Sequence, residues 1–148
     1  MSAQARESLV NSPSTFFQKD SQRSDLLDET ITKTELIALL IYLVDNGYYL
    51  EFTAIKSDHR DDSALGYHCH FNGFCADVWP LASQKAGDYI DASDVRFRLF
   101  LHDACVSPWL YQIGLVGDGA DSAANFAAAG PTAFQDDGGP HVHLGANG

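Results

Sequence analysis

The stretch Leu36–Val44 constrains the fold most, because its nine consecutive residues are all apolar. This run is too short to cross a bilayer as a helix, and its side chains need burial away from water. The preceding residues, Thr32-Lys-Thr-Glu35, have capping-box spacing, and Gly47 is suited to a left-handed helix C-cap. The sequence therefore predicts a helix capped at Thr32 that runs to about Asp45 and is buried against a sheet.

Short strand-like segments occupy much of the remaining chain. The predicted strands are Tyr48–Lys56, Ala76–Trp79 (stopped by Pro80), Leu110–Val116 and His141–Leu144. Ser93 can cap a second helix that ends near Val106, and residues 117–139 are expected to form a long loop. This order of elements predicts an α+β fold, with a small, mainly antiparallel sheet and two main helices.

A change in composition divides the chain near residue 30. Residues 1–30 are polar, and we expect an arm with one short helix that packs partly on the domain. Residues 31–148 hold the predicted helices and strands and are long enough to bury a core.

Charge and cysteine content narrow the class of protein. The net charge is −11 and no Lys or Arg follows Arg98, which argues against a nucleic-acid partner because phosphates need cations. The start of the chain lacks the apolar run of a signal peptide, and no transmembrane segment is expected. The three cysteines are few, and an odd number cannot all pair within one chain, so a disulfide framework is not expected. We expect reduced thiols in a cytoplasmic protein.

Two groups of residues have the composition of a metal site. His141 and His143 are two apart on a predicted strand, so both side chains project to one face while Val142 and Leu144 point to the core. Upstream, a turn at Gly73 could bring His70 and Asp77 to one ion. Zinc prefers imidazole and carboxylate ligands, and a catalytic site has three of them with water in the fourth position.

The motif His70-Phe-Asn-Gly73-Phe-Cys75-Ala-Asp77, followed far downstream by His141-Val-His143, resembles the zinc D-Ala-D-Ala carboxypeptidase superfamily. That group includes phage peptidoglycan endopeptidases and the amino-terminal domain of hedgehog proteins. The resemblance covers roughly residues 32–145, including the order of helices and strands. It implies a hedgehog/DD-peptidase-like fold in which His70, Asp77 and His143 bind Zn²⁺.

The same resemblance implies roles for further residues. His141 matches the neighbouring histidine, which in relatives helps the transition state or supports the ligands. Asp137 lies where relatives carry a catalytic Glu, and the adjacent Asp136 is an alternative for the same role. Arg60 matches the arginine that polarises the substrate carbonyl in several relatives.

Two departures from the family pattern leave the ligand set open. Cys75 replaces the usual Ala, and it is an alternative, soft zinc ligand. His68 stands where relatives often have Ser, and it could support the site or substitute for a ligand.

The function implied by the resemblance is a zinc peptidase that hydrolyses peptide bonds of bacterial peptidoglycan with a metal-activated water, of phage or prophage endolysin type. Such an enzyme stays in the cytoplasm of the producing cell, or with the virion, until its release onto the cell-wall peptide. The alternative is a non-catalytic metal-binding module with the same fold, as hedgehog shows to be possible. An acidic accessory protein that binds a host protein is the third hypothesis.

Overall fold

The computed structural model describes residues 3–56, 72–115, 132–135 and 141–146. In these ranges the helices are α1 (Ala3–Val10), α2 (Asp20–Leu27), α3 (Thr34–Asp45) and α4 (Val95–Val106). The strands are β1 (Thr15–Phe17), β2 (Tyr49–Ala54), β3 (Cys75–Leu81), β4 (Leu110–Leu115), β5 (Thr132–Gln135) and β6 (Val142–Ala146). No helix in these ranges is long and apolar enough to cross a membrane.

The strands form one sheet in the order β1-β2-β3-β6-β4-β5. Neighbouring strands among the four inner ones are antiparallel, whereas the edge strands β1 and β5 pair in parallel with β2 and β4. The prediction of an α+β fold with a small, mainly antiparallel sheet is confirmed. The two predicted helices are the longest of the described ones, α3 and α4, with 12 residues each.

The end of α3 matches its prediction. Gly47 has φ +91°, in the left-handed region that glycine adopts without a steric cost. Its N–H donates to the carbonyl of Val44, and the N–H of Tyr48 donates to the carbonyl of Leu43. These two bonds are those of a Schellman motif, so they satisfy the last carbonyls of the helix.

The predicted capping box at the start of α3 is wrong. The N-cap residue is Lys33, without a side-chain capping bond. The Thr32 hydroxyl is instead fully buried, donates to the carbonyl of Asp25 at 2.7 Å and accepts from Arg6 Nη1 at 2.9 Å. A buried arginine 26 residues away competes for this hydroxyl, which no local pattern reveals.

Two other boundaries differ from their predictions. Asp94, not Ser93, caps α4, because its carboxylate accepts the N–H of Arg96 at 2.8 Å. Strand β3 continues through Pro80 to Leu81. The carbonyl of Pro80 accepts from Ile90 rather than from β2, so the ring nitrogen also faces away from the β2 ladder and its missing N–H costs no bond there.

The N-terminal segment is more structured than the expected arm with one short helix. It forms α1, β1 and α2, and β1 extends the sheet along β2. Arg6 is 3% exposed and donates to the carbonyl of Leu26 at 2.8 Å and to that of Thr32 at 2.7 Å, as well as to the Thr32 hydroxyl. We call Arg6, Thr32 and the carbonyls of Asp25 and Leu26 the arginine cluster.

The expected long loop at residues 117–139 contains strand β5, so a continuous loop is wrong for residues 132–135. Residues 117–131 and 136–139 lie outside the described ranges.

The two faces of the inner strands differ in character. Val78, Val142 and Leu144 are fully buried in the apolar core together with the leucines of α3, as predicted for Val142 and Leu144. Side chains alternate across a strand, so Asp77 and His143 lie on the opposite face. That face carries the candidate site.

Candidate metal centre

Asp77 and His143 are directly opposed on neighbouring antiparallel strands. They are register partners in the β3–β6 ladder, and residues in such positions place their side chains side by side on one face. The distance from His143 Nδ1 to Asp77 Oδ1 is 3.1 Å. Both residues are almost fully buried, with exposed fractions of 2% for His143 and 4% for Asp77. The pairing of the predicted ligands Asp77 and His143 thus follows from strand register.

His141 lies beside this pair, immediately before β6. Its Nε2 is 3.8 Å from Asp77 Oδ2, beyond hydrogen-bond range and within the range of an ion pair. Its side chain is 11% exposed, so it is the most accessible of these three groups.

Gln112 on β4 completes the arrangement. Its Oε1 accepts a hydrogen bond from His143 Nε2 at 3.0 Å. An imidazole that donates from Nε2 carries its lone pair on Nδ1, the atom that faces Asp77. We call Asp77, Gln112, His141 and His143 the histidine cluster.

In a neutral His143 with its proton on Nε2, the contact with Asp77 brings two acceptor atoms together. Oδ1 of a carboxylate and the Nδ1 lone pair repel at 3.1 Å unless a positive charge lies with them. That charge is either a proton, which makes His143 an imidazolium, or a metal cation. Two ligands held about 2.0–2.1 Å from a tetrahedral zinc ion are about 3.3 Å apart. The observed separation and the nitrogen–oxygen donor set fit this ion.

The other predicted site residues lie outside the described ranges: His70, Arg60, Asp137, the alternative Asp136 and the alternative ligand His68. Among the described residues, no three His, Cys, Asp or Glu side chains are arranged to hold one ion. The structure thus brings two of the three predicted ligands, Asp77 and His143, into contact, and all three stay predictions as metal ligands.

The expectation of reduced thiols is wrong for Cys75, which is disulfide-bonded. A disulfide sulfur carries no thiolate charge, so Cys75 is no zinc ligand in this state. Cys105 is a free thiol, and burial in the core raises its pKa to about 11.

Gln112 was missed by the sequence reasoning. Simple alternation along β4 puts residues 110 and 112 on one face, which is the core face of Leu110. The pairing register with β6 shifts between these two residues, so Leu110 opposes Ala146 whereas Gln112 opposes Gly145. This irregularity turns Gln112 to the face of His143. The sequence holds no local signal for it.

Comparison with known proteins identifies no relative of this chain. A scan against protein-family models found no match, and neither did searches of curated proteins and of solved structures.

Proposed function

We propose that this protein is a zinc-dependent peptidase that hydrolyses peptide bonds of bacterial peptidoglycan. The observation that supports it is the buried contact of His143 Nδ1 with Asp77 Oδ1, a nitrogen and an oxygen donor atom at a separation that suits two ligands of one ion. The sequence resemblance to the zinc D-Ala-D-Ala carboxypeptidase superfamily supplies the third ligand, His70, and the substrate class. A hedgehog/DD-peptidase-like fold is part of the same proposal.

Zinc, when bound, lowers the pKa of a coordinated water to about 7 and acts as a Lewis acid. The remaining chemistry belongs to side chains of this chain. In the proposal, Asp137 (or Asp136) accepts the proton of the attacking water and passes it to the leaving amine. Arg60 and His141 stabilise the negative charge that develops on the carbonyl oxygen.

Burial explains why this cluster can hold a charged ligand set. Asp77 sits between two imidazoles with little access to water, so its carboxylate interacts with positive charge more strongly than a surface carboxylate does. His141 is the most exposed of the three side chains, and in the proposal it is the one that meets the substrate carbonyl.

The decisive experiment is digestion of purified peptidoglycan by the zinc-loaded protein, with free amino groups and released peptides measured by mass spectrometry. We expect cleavage that a chelator abolishes and added zinc restores, and no cleavage by His143→Ala. Asp45→Asn, an exposed position at the end of α3, serves as the matched control and keeps full activity.

Intact walls with a zinc-loaded wild-type protein would reject the peptidase. If zinc is then found to have four protein ligands, the non-catalytic module is the better assignment, since a closed shell leaves no position for water.

A further inference from the structure

We propose that Gln112 is a positioning residue that fixes the ring tautomer and orientation of His143 for metal binding. This inference rests on the proposed function, because it concerns the same ion. The contact that carries it is the hydrogen bond from His143 Nε2 to Gln112 Oε1 at 3.0 Å. A ligating histidine typically donates its other ring N–H to a carboxylate or carbonyl oxygen, and this partner sets which nitrogen faces the metal.

The bond selects one of two tautomers. With the proton on Nε2, the lone pair of Nδ1 points toward Asp77 and can bind a cation. With the proton on Nδ1, that nitrogen donates to Asp77 and the position is closed to an ion. Gln112 therefore stabilises the form of His143 that is competent to bind metal.

The backbone around Gln112 is arranged to hold its side chain over β6. Gln112 is the register partner of Gly145, which follows His143 by two residues and faces the same side of the sheet. A Cβ at Gly145 would lie 2.4 Å from Gln112 Cγ and 3.1 Å from Cys75 Sγ. The missing side chain of Gly145 is thus the space through which Gln112 reaches the His143 ring.

The test compares two substitutions of similar size at Gln112. Gln112→Leu removes the acceptor, whereas Gln112→Glu keeps an oxygen for the Nε2 proton. Zinc affinity, measured by competition with a chromophoric chelator, should fall about 10–100-fold in Gln112→Leu, as is typical for loss of such a partner. Gln112→Glu should retain the wild-type affinity. Gln18→Leu, the same exchange at an amide that contacts Glu51 instead, is the matched control and should leave zinc affinity unchanged.

A second readout does not depend on metal or activity. Ring nitrogen shifts of ¹⁵N-labelled, metal-free protein report which His143 nitrogen carries the proton. We expect a protonated Nε2 in the wild type and in Gln112→Glu, and a gain of the Nδ1–H form in Gln112→Leu. Gly145→Ala, which displaces the Gln112 side chain without altering it, should shift the tautomer in the same direction.

The results separate this inference from the peptidase itself. Equal zinc affinity and an unchanged tautomer in Gln112→Leu would overturn the role of Gln112 and leave the peptidase standing. Weaker binding in Gln112→Leu, together with a wild type that binds zinc but leaves peptidoglycan intact, would support Gln112 and reject the peptidase. A wild type that binds no zinc overturns both.

Discussion

The arginine cluster and the histidine cluster are both buried and polar, but they balance charge in opposite ways. In the first, the guanidinium of Arg6 donates to two backbone carbonyls and one hydroxyl within 2.9 Å. In the second, the Asp77 carboxylate and the Gln112 amide oxygen flank the imidazole of His143, at 3.1 and 3.0 Å from its two ring nitrogens. The arginine cluster contains its own cation, whereas the histidine cluster is the proposed site of a bound one.

Under the proposed function, this difference separates a structural role from a functional one. Burial lowers the pKa of Arg6, and the nearby Glu29 and Asp28 carboxylates oppose that effect, so the guanidinium keeps its charge and joins α1 to the start of α3. In the proposed zinc site, Asp77 and His143 instead act on the binding of the ion. We infer that mutations in the arginine cluster act on stability and those in the histidine cluster act on binding.

The largest effect is expected for Asp77→Asn. Zinc affinity should fall by more than about 100-fold, because loss of a direct ligand exceeds the loss of an outer partner. The metal-free variant should be as stable as the wild type or more so, since an Asn amide donates to His143 Nδ1 and removes the repulsion between acceptors. Isothermal titration and urea unfolding measure the two quantities. A less stable metal-free variant would show instead that His143 is an imidazolium paired with Asp77.

Arg6→Met should produce the reverse pattern. The substitution keeps most of the buried volume but leaves the carbonyls of Leu26 and Thr32 without their donor, at a cost of about 3–4 kcal/mol in unfolding free energy. Urea titration measures the loss, and zinc affinity of the folded variant should stay at the wild-type value. A large drop in affinity would break the separation between the two clusters.

Gly73→Ala should affect both clusters, because Gly73 contacts the backbone next to Thr32 and lies just before β3, the strand that carries Asp77. Its φ is +82°, and an added Cβ would approach the carbonyl oxygen of Ile31 to 2.2 Å, next to Thr32. We expect a loss of about 2–3 kcal/mol in unfolding free energy and weaker zinc binding through a displaced β3. Gly47→Ala is the control, since its φ is also positive but the Cβ meets nothing within 4 Å. Its cost should be about 1 kcal/mol, without a change in affinity.

The smallest effect is expected for Asp94→Ala, which removes an exposed ion pair and the N-cap of α4, for comparison with the two buried clusters. The hydrogen bonds from Arg96 lower the pKa of the Asp94 carboxyl to about 2. A depressed pKa contributes stability at neutral pH that is lost as the pH falls from about 4 through about 2. The variant should therefore melt slightly below the wild type at pH 7, and the gap should shrink over that acid range in thermal scans. A gap that is as large at pH 2 as at pH 7 would contradict this assignment.

The sequence predicted those elements whose signals are local. Helix α3 and its left-handed end at Gly47 follow from an apolar run and a glycine within 12 residues of each other. The inner strands and the burial of Val142 follow from the alternation of side chains along a strand. They follow also from the apolar side chains of α3, which need an apolar surface to pack against. The turn at Gly73 was also expected from a local signal, because glycine permits a sharp turn.

The features that sequence reasoning missed depend on residues far apart in the chain. Thr32 has the spacing of a helix N-cap, but its hydroxyl accepts a hydrogen bond from Arg6 instead of capping α3. Gln112 faces His143 because the pairing register between β4 and β6 shifts just before it. A single polar residue in a strand does not predict such a shift in register. The pairing of Asp77 with His143 was expected from the resemblance and not from any physical property of residues 66 positions apart.

Strands β3 and β6 hold the third and fourth places in a sheet of six, with neighbours on both sides. Amide hydrogens in such positions exchange only when a large part of the sheet opens, while the ends of β1 and β5 can fray without disturbing them. An occupant of the histidine cluster would therefore leave and enter past side chains, with the backbone ladder closed. Its binding free energy would add to the cooperative unfolding of the whole sheet and raise the melting temperature in proportion to the logarithm of its concentration.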